Sequence, residues 1–252
     1  MCQKPLGRNA TEAKEMCKLA TDAGVINLVT YEFRVHPVRT RVRALVLDGA
    51  VGTVEHVQWT SFSGIWGPGR KFGWSFDASL GGGWVRVHGS HNIDYIRWTF
   101  GEVVEAAGVV RTTIKERPDA EGNIRQCTAE DGFTALLRTD RDVSVVFDAT
   151  ATGGVDRPAH VTIVGSQGVL EVLSENIHEI GGRILLHTAE GTTEVLNRPG
   201  WGDPTAHDDS AIAPWAPMVR DAVRQGVSSP QLATFADGLA CARVMDQLTA
   251  GH

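Results

Sequence analysis

The chain has 252 residues, of which 42% are hydrophobic and 21% charged, and it carries a net charge of −6 at pH 7. That is the composition of an ordinary globular protein of one or two domains, long enough to bury a core without staples, and it excludes a disordered chain. Mild acidity also excludes the electrostatic footprint of a general nucleic-acid binder or of a protein drawn to an anionic membrane, so neither partner is expected.

Asn9 can cap a first helix, with Glu12 three residues on and Gly24 at its end. Ala13, Met16, Cys17 and Ala20 recur at helical spacing along it. A strand is expected over 25–33. A second helix starts near Pro37, a good first-turn residue, buries Val38, Val42, Leu45 and Val46, and ends at Gly49. Residues 54–62 read as a strand. Residues 63–83 form a long connection rich in glycine and aromatic residues, and loops of that length inside a compact domain are usually functional. A third helix is expected over 84–100, closed by Gly101.

The texture then changes to strands: 103–113, 132–139, 143–150, 160–164, 169–173 and 184–187. Short turn sequences separate several of them, so a largely antiparallel sheet is expected. The tail returns to helix, with Ile212, Trp215, Val219, Ala222 and Val223 on one face and Phe235, Leu239, Ala242 and Met245 on another. One sheet with segregated helices is an α+β layout.

Cys2, Cys17, Cys127 and Cys241 form no C-x-x-C pair, which argues against a structural zinc site. Four widely spaced thiols fit a reducing cytoplasm, the expected compartment. No apolar run reaches the length of a membrane span, and the first residues lack a signal core.

Three groups of residues could carry chemistry. In Gln3-Lys4-Pro5-Leu6 the proline holds Lys4 extended beside a rigid turn, as a fixed cation or simply as a surface lysine. Gly81-Gly82-Gly83 leads to Val87, His88, His91 and Asp94. On a helix, positions 87, 91 and 94 share a face, so His91 and Asp94 can point into one pocket, and a histidine can exchange a proton with a hydroxyl near neutral pH. The alternative is a buried histidine with a satisfied hydrogen bond. His88 and His91 lack an acidic partner at metal spacing, so no metal is expected. Trp66, Trp74 and Trp84 flank the glycine loop and either line a sugar-type pocket or pack as core. The His207-Asp208-Asp209 run reads as a solvated loop at a helix start.

In this order the pieces resemble the glucose–fructose oxidoreductase / inositol dehydrogenase family, Gfo/Idh/MocA. Gln3-Lys4-Pro5-Leu6 resembles its Glu-Lys-Pro signature. Tyr31-Glu32-Phe33-Arg34-Val35-His36-Pro37 resembles its next strand end, and Gly81-Gly82-Gly83 through Asp94 its glycine-led catalytic helix. Thr128-Ala129-Glu130-Asp131-Gly132-Phe133 and Phe235-Ala236-Asp237-Gly238 resemble its later strand and final helix.

The resemblance implies an open, mostly antiparallel sheet with helices packed on one face. Residues 35–252 would form this substrate-binding and oligomerisation domain, and 1–34 a helix-plus-strand remnant of a Rossmann domain. It implies hydride transfer between NAD or NADP and a sugar, polyol or related hydroxy compound. Lys4 and His91 would be catalytic, Lys4 and Pro5 would touch the cofactor, and Arg34, Trp74 and Asp94 would touch substrate. A homo-oligomer formed through the open sheet face is expected.

Three departures stand beside it. Gln3 replaces an acid before the lysine, and Val87 replaces an aspartate four residues before the histidine. No G-x-G-x-x-G turn lies between a strand and a helix, so the main cofactor-binding domain is expected to be missing and the chain N-terminally truncated. The other reading is a non-catalytic module that binds a sugar-type ligand or serves oligomerisation.

Overall fold

The computed structural model describes residues 1–174, 181–198, 214–226 and 229–250. Helix α1, Ala10–Asp22, begins where its cap predicts: the Asn9 side chain accepts the Glu12 N–H at 2.9 Å. The strand expected over 25–33 is much shorter. Strand β1 (Cys2–Gln3) pairs in parallel with β2 (Val29–Thr30), and Glu32–Val35 winds into a 3₁₀ turn. Because β1 offers two residues for pairing, Val25 and Ile26 stay outside the ladder, 55% and 52% exposed.

Helix α2 (Pro37–Leu47) has Pro37 in its first turn, and β3 (Val54–Phe62) follows. The 63–83 connection holds two short 3₁₀ turns, Trp74–Phe76 and Ala78–Leu80. The helix expected over 84–100 has a wider first turn: Val85–Gly89 is π-helical, and α3 proper is Ser90–Phe100. The 3.6-residue pattern does not reveal that extra residue per turn.

The strands that follow are β4 (Val103–Arg111), the small hairpin β5 (Glu116–Pro118) and β6 (Ile124–Gln126), then β7 (Gly132–Thr139), β8 (Ser144–Thr150), β9 (Arg157–Gly165), β10 (Gly168–Ser174), β11 (Gly182–Thr188) and β12 (Gly191–Arg198). Seven of these join β3 in one eight-stranded sheet, in the order β12-β11-β10-β9-β3-β8-β7-β4. Its pairs are antiparallel except β3 with β8, which run parallel from His56 opposite Ser144. The fold is α+β, as expected. The hairpin β5–β6 was not anticipated; β12 places one apolar residue on each face, Val195 and Leu196, and so carries no period-2 signal.

One face of this sheet buries Val57, Trp59, Phe147, Ile163 and Leu170. Trp59 meets Tyr95 of α3 edge-on at 5.9 Å and Phe147 at 5.5 Å. Alternate residues, such as Gln58, Thr60, Val146, Thr134 and Leu136, point the other way, and Leu136 is 55% exposed.

In α4 (Trp215–Gln225), Trp215 and Ala222 are buried and Val219 packs beside them. Val223 does not join that face; one residue past Ala222 it is turned about 100° away and is 59% exposed. Ile212 and the 207–209 run lie outside the described residues.

Helix α5 (Phe235–Thr249) opens on a capping box between Thr234 and Asp237. Gly238 lies against the first segment of the chain: a Cβ there would sit 2.7 Å from Leu6 Cβ and 2.9 Å from Val29 Cγ2. This close approach docks the β1–β2 pair onto α5 and fixes Lys4 above α3.

Candidate active site

Lys4 follows β1 and joins Pro5 through a cis peptide bond. Its ammonium donates to the Val87 carbonyl, so the chain start is tied to the π-helical turn leading into α3. Burial pushes the Lys4 ammonium down to about 8, against the opposing pull of Glu32.

His91 lies in the first turn of α3 and is 6% exposed. Its ring stacks on Phe33 at 3.9 Å with planes 9° apart, and Tyr31 meets its edge at 6.1 Å. Nδ1 is buried without a hydrogen-bond partner among the described residues. Burial, then Lys4, Arg39, His88 and His36, hold the imidazole well below its ordinary range. His91 is therefore neutral at pH 7 and free to accept a proton.

Two charged residues missed by the sequence reading stand beside this pair. Arg39 of α2 is 1% exposed, with its guanidinium 5.0 Å from the Phe33 ring, 5.3 Å from Trp59 and 4.8 Å from Tyr95. It donates to the Asn92 side chain, whose amide also lies 3.1 Å from His88 Nε2. Glu32 is 8% exposed, and its Oε2 is buried without a partner among the described residues. Neither could be found from periodicity, since an arginine on a surface helix and a glutamate in a turn both look solvated.

Arg34 and Asp94 come together, but they face each other: Arg34 Nε and Nη2 donate to the two Asp94 carboxylate oxygens at 2.7 and 2.6 Å. Arg34 also reaches Asp237 at 3.0 Å and the Pro230 carbonyl at 3.2 Å. Both side chains are nearly sealed and join the 3₁₀ turn, α3 and α5. The Asp94 carboxylate is thus already engaged by Arg34. Trp66 and Trp84 are buried and meet edge-to-face at 4.9 Å, as core. Trp74 is 56% exposed on the loop.

The start of the helix is held from β7's side. Glu130 takes the Trp84 N–H on its backbone carbonyl at 2.9 Å and the Val85 N–H on Oε1 at 3.0 Å. Gly83 leaves the room: a Cβ there would lie 2.2 Å from Glu130 Oε1, and its φ is +114°.

Residues 40–171 match the GFO/IDH/MocA C-terminal domain. The chain is 29% identical over 231 residues to an uncharacterized oxidoreductase of Synechocystis sp., covering 89% of this chain and 62% of that protein. It is also 29% identical over 134 residues to levoglucosan dehydrogenase of Pseudarthrobacter phenanthrenivorans, covering 50% of this chain and 34% of that one. The chain thus spans less than two thirds of the length of these relatives. Among solved structures, levoglucosan dehydrogenase in complex with NADH and L-sorbose superimposes with a TM-score of 0.83 at 23% identity, covering 98% of this chain and 69% of that one. An oxidoreductase domain protein from Kribbella flavida does so with a TM-score of 0.80 at 25% identity, covering 97% and 69%.

Proposed function

The chain belongs to the GFO/IDH/MocA family, and from that premise we propose that it forms the substrate half of an NAD(P)-dependent oxidoreductase acting on a sugar, a polyol or a related hydroxy compound. The observation that carries this reading is the tie between Lys4 and the Val87 carbonyl, four residues before His91. It brings a partly desolvated ammonium and a neutral, buried imidazole to one place on the first turns of one helix.

These residues suit a nicotinamide. Lys4 and Pro5 would hold its edge, and when bound the nicotinamide supplies hydride acceptance or donation. In the oxidation direction His91 takes the hydroxyl proton as general base, its low proton affinity in the resting site keeping it ready. Lys4 polarises the same oxygen and favours its anionic character. Arg34 and Asp94 act at one remove, by fixing α3 against α5.

Relatives support the substrate class. Levoglucosan dehydrogenase has been solved with NADH and levoglucosan and with NADH and L-sorbose. The open face of the sheet, with Leu136 and its neighbours, is the surface through which copies of this chain associate in this reading.

A non-catalytic ligand-binding module is the second reading, and Val87 favours it, because no side-chain acceptor there orients the His91 ring. The test is a titration of NADH and NADPH into the protein, followed by turnover of a polyol panel. Lys4→Ala and His91→Ala should each lower turnover roughly a hundredfold or more while the fold is kept. Saturable polyol binding with no turnover, unaltered by either change, would select the module.

A further inference from the structure

The site departs from its family at two acidic positions, Gln3 and Val87, yet one carboxylate remains inside it. Glu32 lies in the 3₁₀ turn between β2 and α2 and is 8% exposed. Its Oε2 is buried and unpartnered among the described residues. The groups that act on it electrostatically are Lys4 and Arg39, the same two cations that act on His91. Lys4 donates to Val87 and Arg39 to Asn92.

A buried carboxylate oxygen without a donor is costly, so a structure that retains one leaves a strong acceptor open for a bound donor. The His91 Nδ1 is likewise buried and without a hydrogen-bond partner among the described residues. A site built to pair with a substrate hydroxyl discriminates sharply against a ligand that cannot supply one. A ligand carboxylate beside Glu32 would add like charge in a poorly solvated place.

We propose that Glu32 is the acid of this site: its charge is the counter-ion of Lys4, and its open oxygen accepts a hydrogen bond from a substrate hydroxyl. The site then takes uncharged polyhydroxy compounds and rejects sugar acids. This rests on the proposed polyol function, and Glu32 is a specificity-determining residue within it. Burial pushes the Glu32 carboxyl above its ordinary range, against the opposing pull of its own backbone N–H, Lys4 and Arg39.

The experiment reads Lys4 directly. The lysines of the whole chain are ¹³C-dimethylated, and the Lys4 resonance is identified by its loss in Lys4→Arg. Its pH titration is compared in the unaltered protein, in Glu32→Gln and in Glu32→Ala, with the fold of each checked by its melting curve. Loss of the carboxylate should lower the Lys4 midpoint by about one pH unit in both variants. Glucose and glucuronate, which share a ring and differ by one carboxylate, are then added to the same samples. Glucose should shift the Lys4 resonance in the unaltered protein and glucuronate should not; in Glu32→Gln the difference should shrink at least tenfold. An unchanged Lys4 midpoint in both variants overturns the counter-ion role. Glucuronate shifting Lys4 as strongly as glucose overturns the specificity. A moved midpoint with no response to either sugar overturns the polyol function and the specificity built on it, and leaves the counter-ion role standing.

Discussion

Val87 stands four residues before His91, and its carbonyl accepts the Lys4 ammonium while its side chain gives His91 Nδ1 nothing to donate to. The main chain at this position therefore serves one of the two reactive side chains and the side chain abandons the other. Val87→Asp supplies the missing acceptor. A carboxylate at hydrogen-bond distance favours the imidazolium, so the His91 pKa should rise by about one unit or more. Histidine ring resonances followed against pH in the unaltered protein and the variant report this. An unmoved His91 titration would show that the π-helical turn points residue 87 away from the ring.

Arg34 and Asp94 form a two-pronged pair sealed from water, and the pair ties three elements. Breaking a buried ion pair by removing one partner costs about 3–5 kcal/mol, and removing Asp94 leaves the buried Arg34 guanidinium only its contacts to Asp237 and the Pro230 carbonyl among the described residues. Asp94→Ala should lower the stability by that amount in urea titration. Arg34→Lys, which keeps the charge and loses the fork, should also destabilise. A loss below about 1 kcal/mol in Asp94→Ala would mean that water reaches the gap.

The strands and helices of the main sheet were legible in the sequence because their apolar periods are regular: β3 falls on the expected 54–62, and α2 starts at Pro37. Elements whose existence depends on a partner were not legible. The run at 25–33 carries strand residues, but its pairing is limited by the two-residue β1. The parallel contact of β3 with β8 is a choice of neighbour that local pattern does not encode. At the site, Lys4 and His91 stood out through motif order, whereas Arg39 and Glu32 are polar residues buried by tertiary packing alone. Arg34 and Asp94 were expected to touch substrate, and their pairing with each other across 60 residues is a tertiary choice that local pattern does not encode.

Glu130 couples the start of the His91 helix to pH. Burial raises its carboxyl to about 7 in the folded protein, from an ordinary value of 4.5. The folded state thus holds a proton that the unfolded state releases, and stability falls as pH rises through the window from about 4.5 to about 7, then levels. Below that window the stabilisation is fully present. The span corresponds to roughly 3 kcal/mol. Denaturation midpoints measured across pH 4 to 8 should show this decline, and Glu130→Gln, which cannot titrate, should flatten it. Gly83→Ala should destabilise at every pH, since its Cβ meets the carboxylate and its φ disfavours a side chain.

The second face of the sheet offers the last test. Leu136 of β7 is opposite Val146 of β8 and Ala107 of β4, so an apolar strip crosses three strands on the side away from the helices. Leu136 and Val109 are 55% and 73% exposed. Nothing in the described residues covers that strip, and such a surface gains most of its burial from a second copy of the chain. Light scattering at micromolar concentration should give a mass of at least two chains. Leu136→Glu places a charge in the middle of the strip, 2 residues from Arg138 on the same strand face, and should return the protein to the mass of one chain without changing its melting temperature by more than a few degrees. A monomer in the unaltered protein would show that the strip's polar neighbours, Thr134 and Asp148, suffice to keep this face in water.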